Sequence, residues 1–156
     1  MNEHHAIIRW QHTSGEFTRG TYSRAHSWTF DGGQTVPASP SPAVVREPLS
    51  DPNGVDPEEA FVAALSSCHM LTFLHLASKA GFEVQSYEDD AFGTMAKNDR
   101  RIPWVNRVTL RPRIVYAPDK SPTPEQEAAL HHRAHEGCFI ANSVKTDVHV
   151  EPTRAT

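Results

Sequence analysis

Two short stretches carry the reactive side chains of this sequence. "SSCHM" holds Ser66, Ser67, Cys68 and His69, and "HHRAHEGC" holds His131, His132, His135 and Cys138. Cys68 and Cys138 are the only cysteines and stand 70 positions apart (138 − 68), too few for a disulfide framework. Three roles suit these residue types. A cysteine in an apolar run serves as a small core side chain. A thiolate is a nucleophile, and two thiols can form a reactive redox pair. Thiols with imidazoles are zinc ligands. Adjacent Cys68 and His69 would point about 100° apart on a helix, which is poor chelate geometry, although His135 and Cys138 are better spaced. Against a purely apolar role, Ser66, Ser67 and His69 put polar groups beside Cys68. Burying each costs about 1–3 kcal/mol unless it is paired. His26 and His69 are candidates to line a site, with a hydrogen-bonded structural role as the plainer reading. His131, His132 and His135 lie at helical spacing and read as a solvated face.

The element that must hold Cys68 is "PEEAFVAALSSCHMLTFLHLASKAG", residues 57–81. Asp56 suits an N-cap, Pro57 the first helical position, and Glu59 the capping-box position. Glu58 and Glu59 suit the positive end of the helix dipole. Gly81 suits the left-handed residue that closes a helix. Phe61, Val62, Leu65, Met70, Leu71, Phe73, Leu74 and Leu76 cover almost every side, which predicts a buried central helix. A second helix, "SPTPEQEAALHHRAHEGC", is capped by Thr123 with Pro124 and Gln126 following, and it delivers Cys138. Before the first helix, "AIIRW" and "TYSRAHSWTF" read as strands, and "DGG" at 31–33 as a turn. Six prolines between Pro37 and Pro57 predict a long irregular loop over the surface or a partner. "FEVQSYEDDAFGTMAK" and "VNRVTLRPRIVYA" read as an antiparallel meander with one wet face, Pro112 marking an edge or bulge. "FIANSV" is a short helical or irregular piece, and "KTDVHVEP" a last strand. The order β-β-loop-α-β-β-α-β predicts an α+β domain spanning residues 1–156.

The totals narrow the classes further. The chain has 156 residues, 38% hydrophobic and 22% charged, with a formal net charge of −4. No basic block points to nucleic acid or to a membrane surface. Ser66, Ser67, His69 and His75 interrupt the longest apolar run before the roughly 18 residues a membrane span needs. "MNEHHAIIRW" lacks the pattern of a secretion signal, so the expected location is the cytoplasm. The lean apolar content suggests a core completed by a partner chain.

"DPEEAFVAALSSC", followed by "AHEGCFIANSV" and a terminal strand, resembles the OsmC/Ohr family of osmotically inducible and organic-hydroperoxide-resistance thiol peroxidases. The likeness runs over about residues 6–152. It carries through the two cysteine segments, although His69-Met70 and "CFIANS" depart from the usual residues there. The resemblance implies an OsmC-like α+β fold, with antiparallel sheets and a long buried central helix, in an intertwined homodimer. It implies that Cys68 is the peroxidatic and Cys138 the resolving cysteine, closing an intrachain disulfide. Glu58 corresponds to the family glutamate. The family arginine corresponds to Arg24 in "YSRAH", with Arg19 in "FTRG" as the second choice. The substrate would be an organic hydroperoxide and the recycling agent an external dithiol, with no cofactor or metal. The alternatives are a catalytically silent binding protein of the same fold and a zinc-binding protein. On a straight helix Glu58 and Cys68 lie about 15 Å apart, so a bend or break, a bridging arginine, or service to a partner's site would be needed.

Overall fold

The computed structural model of the chain describes residues 2–153. They gather into two compact units divided between Ala60 and Phe61. The first unit holds an antiparallel sheet of β1 (Ala6–Arg9), β2 (His26–Phe30) and β3 (Thr35–Ala38), in that order. The expected "DGG" turn joins β2 to β3: Gly33 takes a φ of 83°, and its N–H donates to the Phe30 carbonyl at 2.9 Å. β3 itself lies where the sequence reads as loop. Pro37 within it faces Ser27 on the edge of the sheet, where a missing N–H is tolerated.

The proline-rich segment is ordered by local bonds. Ser39 is fully buried, and its hydroxyl accepts the Asp51 N–H at 2.7 Å. Ala38 bridges Val55. The segment ends at Asp56, which caps α1 (Pro57–Lys79) as expected. The Asp56 carboxylate accepts the Glu59 N–H at 2.7 Å, and the Glu59 carboxylate accepts the Asp56 N–H at 3.2 Å.

In the second unit, β4 (Val84–Asp89) pairs with β7 (Pro112–Tyr116), while β5 (Phe92–Lys97), β6 (Pro103–Leu110) and β8 (Asp147–Val150) form another sheet. β6 pairs antiparallel with β5 and parallel with β8. This corrects the simple meander. Each long strand run breaks in the middle, and its two halves join different sheets. Asp89 fixes the break: its carboxylate accepts the Arg111 N–H at 2.6 Å and the Ser66 hydroxyl at 2.5 Å. Pro112, fully buried, begins β7 at the switch, since it has no N–H with which to continue a ladder.

α2 (Pro124–Gly137) starts on the expected Thr123–Gln126 capping box. Phe73 and Ala77 of α1, Ile114 of β7, and Leu130 and Ala134 of α2 form one core cluster. Leu65 packs with Val108 and Leu110 of β6 in another. Each fully buried Leu, Val or Phe contributes about 1.5–3 kcal/mol.

The expectation that α1 is buried on all sides is corrected. Within this chain it buries one stripe, Leu65, His69, Phe73 and Ala77, at four-residue spacing, while Leu71 is 61% exposed. Ile114 of β7, Leu130 and Ala134 of α2, and Val108 and Leu110 of β6 pack on that stripe. By length and composition alone α1 is also apolar enough to cross a membrane. Mean hydropathy averages over the polar residues that a count of unbroken apolar positions treats as interruptions. The core helix of a soluble protein passes the same test.

Candidate active site

α1 and α2 meet through side chains chosen for close approach. A Cβ on Gly137 would stand 3.2 Å from the Thr72 methyl, so the absence of a side chain there lets the end of α2 press against α1. Thr72 in turn donates its hydroxyl to the Cys68 carbonyl at 2.9 Å. At this contact the Cys68 thiol lies close enough to Cys138 to raise its pKa. Both cysteines are free, Cys68 half-buried and Cys138 buried.

Burial first, then the neighbouring Cys68 thiol, push the Cys138 thiol up to about 11. The Ala141 N–H, donating to the Cys138 sulfur at 3.4 Å, pulls only partly back. Cys138 is therefore a protonated thiol at neutral pH.

Beside the thiols lies a buried imidazole cluster. His69 Nε2 and His131 Nδ1 are 3.0 Å apart, and the two rings stack with 7° between their planes. Phe73 stacks on His131 at 4.4 Å between ring centroids. Burial, then the neighbouring His135, lowers the His69 pKa to about 4. Burial, then the neighbouring His69, lowers His131 to about 4. Both rings are neutral at pH 7. In either tautomer one outer nitrogen carries a hydrogen and the other a lone pair. Those two atoms, His69 Nδ1 and His131 Nε2, are buried without a hydrogen-bond partner among the described residues, as is His135 Nδ1.

The expectation that His131, His132 and His135 form a solvated face is thereby corrected. His132 alone faces out, 3.3 Å from Glu136, while His131 is buried. The signal was legible: Leu130, His131, Ala134 and Cys138 recur at the spacing of one helix face. Asp89, which holds Ser66 beside the cysteine, is a long-range partner that local sequence does not show.

The remaining candidates lie toward the first unit. Arg24 is half-buried, and its guanidinium donates to the carbonyls of Tyr22 at 3.0 Å and Gly20 at 3.3 Å. It also sits 4.3 Å above the Tyr22 ring centroid. Arg19 is exposed and pairs with Glu16 at 3.2 Å. Glu58 occupies the first turn of α1, half-buried. α1 is unbroken between Glu58 and Cys68, which removes a helix break as the means of joining them. His26 is held by two hydrogen bonds, with Nδ1 2.8 Å from the Arg24 carbonyl and Nε2 accepting the Trp28 indole N–H at 3.0 Å. No three or more His, Cys, Asp or Glu side chains are grouped to hold a metal ion among the described residues, so the zinc alternative gains no geometric support.

Residues 50–153 match the model of the OsmC-like protein family. The chain belongs to the OsmC-like family. An OsmC-like protein of unknown function from Vibrio cholerae is similar at 52% identity, over 98% of this chain and 100% of that one, with a TM-score of 0.95. Two peroxide-resistance proteins share the OsmC-like fold at low identity. The OsmC organic hydroperoxide resistance protein of Legionella pneumophila has 14% identity and a TM-score of 0.71, over 100% of this chain and 98% of that one. OhrB, the organic hydroperoxide resistance protein of Bacillus subtilis, has 20% identity and a TM-score of 0.65, over 99% and 98%. No curated protein matches the sequence.

Proposed function

We propose that this OsmC-like protein is a two-cysteine thiol peroxidase that reduces organic hydroperoxides. The observation that carries the reading is the pair of free cysteines that α1 and α2 bring together, Cys68 half-buried and Cys138 buried with its thiol pushed up to about 11. In the first step the Cys68 thiolate attacks the outer peroxide oxygen. The O–O bond breaks, the alkoxide takes a proton and leaves as the alcohol, and Cys68 becomes a sulfenic acid. In the second step Cys138 attacks the sulfenic sulfur, an intrachain disulfide forms, and water leaves. An external dithiol returns both thiols by exchange. Arg24, always charged and already oriented by Tyr22 and Gly20, is the arginine assigned to the thiolate and peroxide. Glu58 is assigned to fix that arginine, and Arg19 is the reserve. Phe61, half-buried, and Leu71, exposed, supply apolar surface suited to an organic substituent.

A homodimer is part of the proposal, supported by the exposed apolar side of α1 around Leu71 and by Phe139, 82% exposed beside Cys138. The cytoplasm, where a dithiol reductant is at hand, is the proposed location.

Mass spectrometry after one equivalent of cumene hydroperoxide tests the chemistry. Wild type should lose two hydrogens as the disulfide closes. Cys138→Ser should gain oxygen, and Cys68→Ser should consume no peroxide. A wild type that forms no disulfide, with Cys68→Ser still active, would return both cysteines to structural or binding roles.

A further inference from the structure

Cys68 and Cys138 can bond to each other only if α1 and α2 hold one register. A disulfide spans Cα atoms about 4.4–6.8 Å apart, so a slide by one helical turn, about 5.4 Å, would part the sulfurs. Phe73 and Ala77 of α1 share an apolar cluster with Leu130 and Ala134 of α2, but apolar contact is non-directional and does not single out one register. Two other contacts between the helices are specific in position. At the end of α2, Gly137, next to Cys138, lies against Thr72, whose hydroxyl holds the Cys68 carbonyl. Earlier on α2, His131 meets His69, next to Cys68, through Nδ1 and Nε2 at 3.0 Å. The two points stand about 9 Å apart along α2 and about 4.5 Å apart along α1, so together they fix both the slide and the crossing of the helices. His69 is 1% exposed and His131 4%. Their outer nitrogens have no partner among the described residues, whereas two apolar side chains would fill the same place and leave no polar atom unpaired. What the imidazole pair adds is direction, because its hydrogen bond exists in one register only.

We propose, resting on the two-cysteine reading, that His69 and His131 are positioning residues for the Cys68–Cys138 disulfide, holding the register of α1 on α2 that presents one sulfur to the other. They act through the helix backbones that they fasten together.

Equilibration of the reduced protein with mixtures of reduced and oxidised glutathione at pH 7.5 tests this without peroxide. The two protein thiols give two electrons and two protons to one oxidised glutathione, which leaves as two reduced glutathiones. The equilibrium constant is an effective concentration and reports how well the fold presents the sulfurs to each other. In His69→Leu/His131→Phe the urea midpoint should hold or rise, while the effective concentration falls at least about tenfold. In His69→Gln/His131→Asn the amides reach the positions of Nε2 and Nδ1 and can rebuild the hydrogen bond, so most of the loss should be recovered. An unchanged effective concentration in the Leu/Phe protein overturns the role, and so does the absence of recovery in the Gln/Asn protein. Should the Leu/Phe protein fail to fold by circular dichroism, His131→Leu against His131→Asn decides: a lower constant for Leu supports the role, and equal constants overturn it. A wild type that closes the disulfide with glutathione but not with cumene hydroperoxide overturns the peroxidase reading and leaves the positioning role standing. A wild type that closes it with neither overturns both.

Discussion

His69 of α1 and His131 of α2 face each other ring to ring, 3.0 Å between nitrogens and 7° between planes, in a site closed to water. Their pairing ties stability to pH. Both pKa values are about 4 in the fold, lowered from 6.5. Between those values the unfolded chain binds protons that the folded chain does not. Their contribution is therefore complete above about pH 6.5 and is lost as pH falls toward 4. Urea midpoints at pH 7, 6, 5 and 4.5 should decline for wild type. The double variant His69→Leu/His131→Phe, which replaces both partners by apolar groups, should flatten that decline. Equal slopes in the two proteins would show that other groups carry the acid sensitivity.

The two cysteines should differ in reactivity. Iodoacetamide at pH 7.5 should modify Cys68 and leave Cys138 as the free thiol, because only the thiolate reacts and Cys138 is buried with its pKa at about 11. In Cys68→Ser the protection of Cys138 should survive, since burial is the largest cause of its shift. Peptide mapping that finds Cys138 alkylated first would refute this ranking.

Arg24 and Arg19 make a sharp comparison. Arg24→Met should slow peroxide reduction about 100-fold, the cost of removing one oriented donor from a reacting centre. Arg19→Met should lower it by less than about threefold, because an exposed ion pair such as Arg19–Glu16 contributes little. Single-turnover rates of the two variants decide it, and the reverse order would transfer the role to Arg19.

Gly93 on β5 is a packing requirement. A Cβ there would stand 2.9 Å from Val62 Cγ2 of α1 and 3.2 Å from Val105 Cγ1 of β6. Both neighbours are β-branched and stiff. Gly93→Ala should lower unfolding free energy by about 1–3 kcal/mol, read from the urea midpoint at unchanged slope. A neutral result would mean that α1 can lift from the sheet without loss.

The sequence by itself determined the pieces that depend on neighbours along the chain. Asp56, Pro57 and Glu59 set where α1 begins, and Gly81 where it ends. Thr123 and Gln126 set the start of α2, and "DGG" sets the turn between β2 and β3. Each is a bond within a few residues, so local side-chain chemistry suffices. The two cysteine segments likewise carried the family.

Tertiary structure decided what depends on distant partners. It divided two continuous strand runs between sheets, because Asp89 could reach both the Arg111 N–H and the Ser66 hydroxyl. It turned His131 inward, because Phe73 and His69 offer it a stack and a hydrogen bond that solvent otherwise supplies. It left Leu71 exposed on a helix whose composition reads as buried on every side, because periodicity counts apolar residues but does not say which chain covers them. And it brought Cys68 against Cys138 across 70 positions of sequence, a contact made by the packing of two helices, with Gly137 leaving room for it.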